Sequence, residues 1–237
     1  MGQSYFIWNG VDCRSMGIVQ AGAAPIVRGE ERVEHVTIPG RAGELTLTEG
    51  DNIFQSYIQT VTISVRGGYR VREIQNWLKG SGEITFSGEP DRKQKARVIG
   101  AVTLGKISKN MDAWQGEVQF YCEPFKEKLA ETVTVINSSG TAVINSGDVK
   151  SRPYWSFNAS GTTAVVTAGG NTLTITGLTT NKWYAIDSEA EIITNDDGTV
   201  NLTANSSGKF PVLNPGSNTI TGSGWSELDF YKRERFL

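Results

Sequence analysis

The chain has 237 residues, 38% hydrophobic and 20% charged, with a formal net charge of −2 at pH 7. That balance belongs to a folded globular protein and excludes a disordered one, and the lack of a Lys and Arg excess argues against a duplex-binding surface. The length allows one large all-β domain or two of ordinary size.

The opening MGQSYFIWNG has neither the basic segment nor the apolar core of a secretory signal, and Phe6 stands where acylation of Gly2 would require Ser or Thr. No apolar run approaches the roughly 20 residues that cross a bilayer. A soluble product made inside the cell, without membrane insertion, is therefore expected. Strand-like runs follow at 5–8, 34–38, 44–48 and 59–65, the last containing VTISV with its period of two. YRVREIQNWLKG, residues 69–80, predicts a helix, because Val71, Ile74, Trp77 and Leu78 recur at intervals of three and four and Gly80 and Gly82 stop the run. GEITFSG, KARVIGAV and WQGEVQFYCEP are short, β-prone and punctuated by Gly or Pro. The basic run in EPDRKQKARV lacks interleaved aromatics and reads as an exposed hairpin loop.

Near residue 129 the composition changes. The first 128 residues carry 16 Lys and Arg against 15 Asp and Glu, whereas the remaining 109 carry 7 against 10 and are filled with Thr, Ser, Asn and Gly. ETVTVIN, TAVINSG, YWSFNAS, TAVVTA, NTLTITGL, KWYAIDSE, AEIITN, TVNLTA, NTITGSG and LDFYKRE follow as evenly spaced strand candidates, a pattern typical of an antiparallel sandwich. The expectation is a mainly β protein of two domains: 1–130, a β-sandwich or barrel carrying the helix, and 131–237, an antiparallel β-sandwich.

Catalytic devices are scarce. His35 is the single histidine, so zinc spacings are missing and a triad would have to pass through a residue that the alternation of VEHVTIPG assigns to a strand. NDDG, residues 195–198, fails as a calcium loop: with Gly198 at the sixth place the first and twelfth ligand positions fall on Ile193 and Ala204. It reads instead as a hairpin turn. DSEAE, residues 187–191, clusters three carboxylates that would crowd one face of a strand unless solvated or met by a cation. No phosphate-cradling glycine loop occurs, and no cofactor or metal is expected. Cys13 and Cys122 read as reduced, buried and structural. Among six tryptophans, Trp183 is expected to be buried and Trp225, after GSG, to be exposed. Trp225 and Trp155 are the candidates for contact with a sugar or a partner.

FIWNGVDCRSMGI, VTIPGRAGELTL, WQGEVQFYCEPF and SGKFPVLNPGSNTI, in that order and spacing, resemble the distal tail protein (Dit) family of long, non-contractile-tailed bacteriophages over nearly the whole chain. The resemblance implies a tail-tube-like N-terminal domain that assembles into a homo-hexameric ring at the virion tail tip, with a channel for genomic DNA, and a galectin-like C-terminal sandwich. It implies as partners the tail tube, the tape-measure protein, the tail-associated lysin or hub and a receptor-binding protein, and no catalysis. Galactoside-binding motifs do not follow: the C-terminal half has no His, and Asn214-Pro215 is followed by Gly216. A carbohydrate-binding module contacting the host surface is the alternative.

Overall fold

The structure, a computed structural model, describes residues 3–48, 50 and 53–237; Gly2, considered above for acylation, lies outside them. The chain divides into two units, Met1–Leu129 with Leu237, and Ala130–Phe236. Among the described residues strands dominate and there is one α-helix, so the fold is mainly β as the alternation implied.

In the first unit the strands are β1 (Phe6–Trp8), β2 (Val11–Asp12), β3 (Ile18–Gln20), β4 (Val33–Thr37), β5 (Glu44–Thr48), β6 (Tyr57–Arg66), β7 (Ser81–Phe86), β8 (Arg92–Ser108) and β9 (Met111–Lys128). One antiparallel sheet includes the order β2-β1-β7-β8-β9-β6-β3, and β4 and β5 form a separate two-stranded sheet among the described residues. Asn9 and Gly10 turn β1 into β2 with positive φ of 50° and 78°, the geometry of a primed hairpin turn. The basic run expected as a loop is instead the start of β8. Gln94 and Ala96 point inward and are buried, while Lys95 and Arg97 point outward, and only the Glu89-Pro90-Asp91 segment turns.

The β8–β9 ladder shifts register where its sequence cannot continue a regular pairing. Gln94 pairs with Lys126 and Ala96 with Cys122, so Glu123-Pro124-Phe125 on β9 stand opposite Lys95 alone, a surplus on β9. Pro124 has no N–H to give. The buried Gln94 amide fills the gap by donating to the Glu123 carbonyl, and its Oε1 accepts from the Tyr57 hydroxyl at 3.0 Å. Further along, Ile99 pairs with Gln119 and Thr103 with Glu117, so the surplus falls on β8, where Gly100 takes φ 70°.

Helix α1 (Tyr69–Trp77) starts beyond Gly67, and Asp112 Oδ1 accepts from the Gly68 N–H at 3.0 Å. Its stripe is the one expected: Ile74 and Leu78 are buried, Val71 and Trp77 partly so, all against the sheet. Phe120 on β9 sits among Phe6, Trp8 and Phe86, with ring centroids 5.5, 5.4 and 6.2 Å away, and Trp77 stacks on Phe6 at 5.9 Å. One ring therefore joins β1, β7 and β9, and through Phe6 the helix.

The second unit contains β10 (Thr134–Ile136), β11 (Thr141–Asn145), β12 (Tyr154–Ala159), β13 (Thr163–Ala168), β14 (Asn171–Thr176), β15 (Trp183–Asp187), β16 (Ile192–Asn195), β17 (Ser206–Gly208), β18 (Gly216–Ser223) and β19 (Trp225–Tyr231). Two sheets, ordered β10-β19-β12-β15-β16 and β11-β18-β13-β14-β17, face each other. Their inward residues, among them Trp155, Phe157, Val166, Leu173, Ile186 and Phe230, form one core, as aligned sandwiches do. TVNLTA does not form the expected strand. Asn201 makes only an isolated bridge to Thr194, and Thr203–Asn205 is a 3-10 turn.

SGKFPVLNPGSNTI closes this sandwich. Val212, Leu213 and Ile220 are buried, and the buried Asn145 amide donates to the carbonyls of Val149 and Leu213 at 3.2 and 3.0 Å while its oxygen accepts from Gly147 N–H. Asn218 spans the Pro215-Gly216 turn, accepting from Asn214 N–H and donating to the Asn214 and Gly216 carbonyls. Gly216 itself has φ 86°, and a Cβ placed on it would meet no atom within 4 Å, so a side chain there is opposed by backbone conformation and not by crowding.

Phe120→Ala should destabilise the first unit by about 3–5 kcal/mol, as truncation of a central core aromatic does, measured by urea unfolding; a loss under about 1 kcal/mol would remove Phe120 from its central role. Gly216→Val should cost about 1–3 kcal/mol through the enforced positive φ, and a crystal structure should place the strain at the turn with the Asn145 bonds intact.

Candidate functional site

The tryptophans chosen from the sequence do not lie on a surface. Trp155 is fully buried, its ring 4.4 Å from that of Phe230 and its indole N–H donating to Ser188 Oγ at 3.0 Å. Trp225 is 9% exposed and donates to the Val165 carbonyl at 3.1 Å. The GSG before it, read as loop punctuation, serves close packing: a Cβ on Gly222 would lie 2.0 Å from the Val165 carbonyl oxygen and one on Gly224 2.0 Å from that of Thr163. Glycine lets β18 and the turn at its end press against β13 and enclose the indole. Trp183, expected inside, is the half-buried one. It opens β15 on the face opposite the buried Tyr184 and stands directly across from Asn158 on β12.

Trp183 lines a cleft of about 650 Å³ at one end of the sandwich. One wall is the segment after β14, with Gly177, Asn181 and Lys182; the other follows β16, with Asn195, Asp196, Asp197, Val200 and Leu202. The second wall contains NDDG, and that stretch is the expected turn. Asn195 Oδ1 accepts from Val200 N–H at 2.8 Å, and Asp197 Oδ1 accepts from both the N–H and the hydroxyl of Thr199, which hold its carboxyl below the usual carboxylate range. Gly198 supplies φ 71°.

DSEAE meets a cation, in fact three. Asp187 ends β15, and Ser188 to Glu191 turn, so the carboxylates do not share a strand face. Asp187 is held by Arg233 through two bonds of 2.7 and 3.1 Å, Glu189 by Arg235 at 2.8 Å, and Glu191 by Arg152 at 3.5 Å. Burial raises the Asp187 carboxyl, but the Arg233 guanidinium and the N–H groups of Ala190 and Glu189 outweigh it and leave the pKa lowered. Glu191 and Arg233 both adopt positive φ, 55° and 49°. This is a fastening between the β15–β16 turn and the segment after β19.

His35 lies on the β4–β5 hairpin opposite Thr46, 3.3 Å from its hydroxyl and 3.8 Å from Glu44. Both contacts are to the same ring nitrogen, Nδ1, and both side chains of the His35–Glu44 pair are exposed, so hydroxyl and carboxylate do not bracket the imidazole as a triad requires. Cys13 and Cys122 are free thiols in the first core; burial raises both, that of Cys122 to about 12. Among the described residues no group of three or more His, Cys, Asp or Glu side chains could hold a metal ion, and no helix is long and apolar enough to cross a membrane.

A helix-bearing antiparallel sheet followed by a two-sheet sandwich defines the class of fold. No model of a known protein family matches the chain, and no curated protein matches it. A solved structure does: the Dit protein (gp 19.1) of phage SPP1, described as a paradigm of the hub adsorption apparatus in phages that infect Gram-positive bacteria. It matches 100% of both chains at 18% identity with a TM-score of 0.81. The chain has the fold of that Dit protein over its full length.

The fastening has a testable pH signature. The folded state holds the Asp187 carboxyl ionised more firmly than the unfolded chain does, so acid favours unfolding. The stabilisation is complete above the ordinary Asp value of about 3.9 and is lost as pH falls through the lower folded value. Arg233→Ala should melt lower at neutral pH, with the gap to the parent closing below about pH 4; a gap independent of pH would assign Arg233 a role other than holding the ionised carboxylate.

Proposed function

We propose that the chain is a structural protein of a phage tail tip, a distal tail protein that forms a hexameric ring between the tail tube and the tail-tip hub. The observation that carries this reading is the likeness to SPP1 Dit over the whole of both chains. It agrees with the four stretches that resemble the distal tail family and come from both units.

In this reading the mechanism is architectural. A ring closes through heterologous contacts, in which one face of each subunit meets a different face of the next. The first unit supplies those contacts as a tail-tube-like domain, and the second, a galectin-like sandwich, faces outward as a mount for baseplate or receptor-binding components. A channel that passes DNA must not hold a polyanion. The first 128 residues, with 16 basic against 15 acidic side chains, suit that requirement. Tape-measure protein and tail lysin or hub are the axial partners, and no catalytic step is needed. The saccharide-binding alternative loses its original anchors, because Trp155 and Trp225 offer no open ring face.

Negative-stain electron microscopy of the purified chain, alone and mixed with its tail-hub partner, should show rings with a central hole and sixfold symmetry, with a matching mass by light scattering. A chain that stays monomeric in both preparations would sink this reading.

A further inference from the structure

The second unit carries a cleft that the tail-tip reading does not use. We propose that this cleft, beside Trp183, binds a neutral saccharide. The inference stands whether or not the chain forms a ring.

The volume, about 650 Å³, falls within the range of about 300–1,000 Å³ typical of small-molecule sites. Trp183 differs from Trp155 and Trp225 in being only half-buried, and its indole N–H donates to no described residue. An indole of this kind gives a pyranose an apolar face to lie against and a donor at its edge. Around it stand Asn181, Lys182 and Asp196, all exposed and with no side-chain hydrogen bond to a described residue. Together they provide amide and ammonium donors beside amide and carboxylate acceptors. A sugar hydroxyl both donates and accepts, so it can use such a mixed set, whereas a purely basic or purely apolar wall could not serve it.

The site is also built in advance. Asn181 is fixed at φ 61° by its N–H donating to the Ala159 carbonyl at 2.7 Å. Asp196 is anchored by its N–H on the Trp183 carbonyl, and the side chains on either side of it, Asn195 and Asp197, are spent on holding the turn. Fixed walls lower the ordering cost of binding. Charge selects the class of ligand: Asp196 and Asp197 oppose the single ammonium of Lys182, so phosphate-rich or carboxylate-rich polymers are disfavoured relative to neutral sugars.

The test is a titration of the full chain, followed by the indole N–H resonances in proton–nitrogen NMR spectra. The probes are lactose, maltotriose and tri-N-acetylchitotriose at millimolar concentration, with polyglycerol phosphate as the anionic comparison. The Trp183 indole resonance should shift saturably with at least one neutral sugar, while those of Trp155 and Trp225 stay in place. Trp183→Ala should weaken binding about tenfold or more. Should that variant fold poorly, Asp196→Ala, at an exposed position, should give a comparable loss with unchanged melting. No shift of the Trp183 resonance with any neutral sugar, a shift with the polyanion alone, or full affinity in folded Asp196→Ala would each overturn the proposal.

Discussion

Strand register is the constraint on which both units depend. With one nine-residue helix among the described residues, almost all regular backbone pairing lies between strands, and a slip of one residue would turn every core side chain towards water. The chain fixes register with polar groups inside the protein. Gln94 fills the gap where β9 carries surplus residues, Asn145 fastens the approach to β18 from the opposite strand, and Asn218 locks the turn from which β18 starts. Each is buried with its bonds made, the condition under which a buried amide specifies a structure without a large desolvation penalty.

The strands were largely legible because their signal is local. Alternation in VTISV, TAVVTA and NTLTIT emerges as β6, β13 and β14, and the three-four spacing in YRVREIQNWLKG emerges as α1. What was hidden depends on partners far away in the chain. The basic run of β8 looked solvated throughout because Gln94 is polar, yet its amide is drawn inward by Glu123 and Tyr57. TVNLTA has the right alternation but no second neighbour to extend its bridge, and it curls into a 3-10 turn. Ser206–Gly208 becomes β17 although nothing in its composition announces a strand, since β14 offers it an open edge.

The candidate site was less legible than the fold. The turn at NDDG is legible in the sequence, but the more open indole is that of half-buried Trp183 and not that of Trp225, because glycine before Trp225 has two meanings. It can mark a loop, or it can let two backbones meet, and only the neighbouring β13 decides between them. The carboxylates of DSEAE were recognised as needing a cation, but their three arginines lie up to 46 residues away and could not be matched to them by spacing.

The β8–β9 hairpin has a mechanical consequence. β9 is 18 residues long, a contour of about 60 Å at 3.3 Å per residue, and it is bordered by β6 on one side and β8 on the other. Tension along such a strand loads many hydrogen bonds at once in shear, whereas tension across a sheet edge opens them one after another. Pulled along β9, this unit should resist as a stiff tie; pulled at β2 or β3, the outer strands, it should unzip.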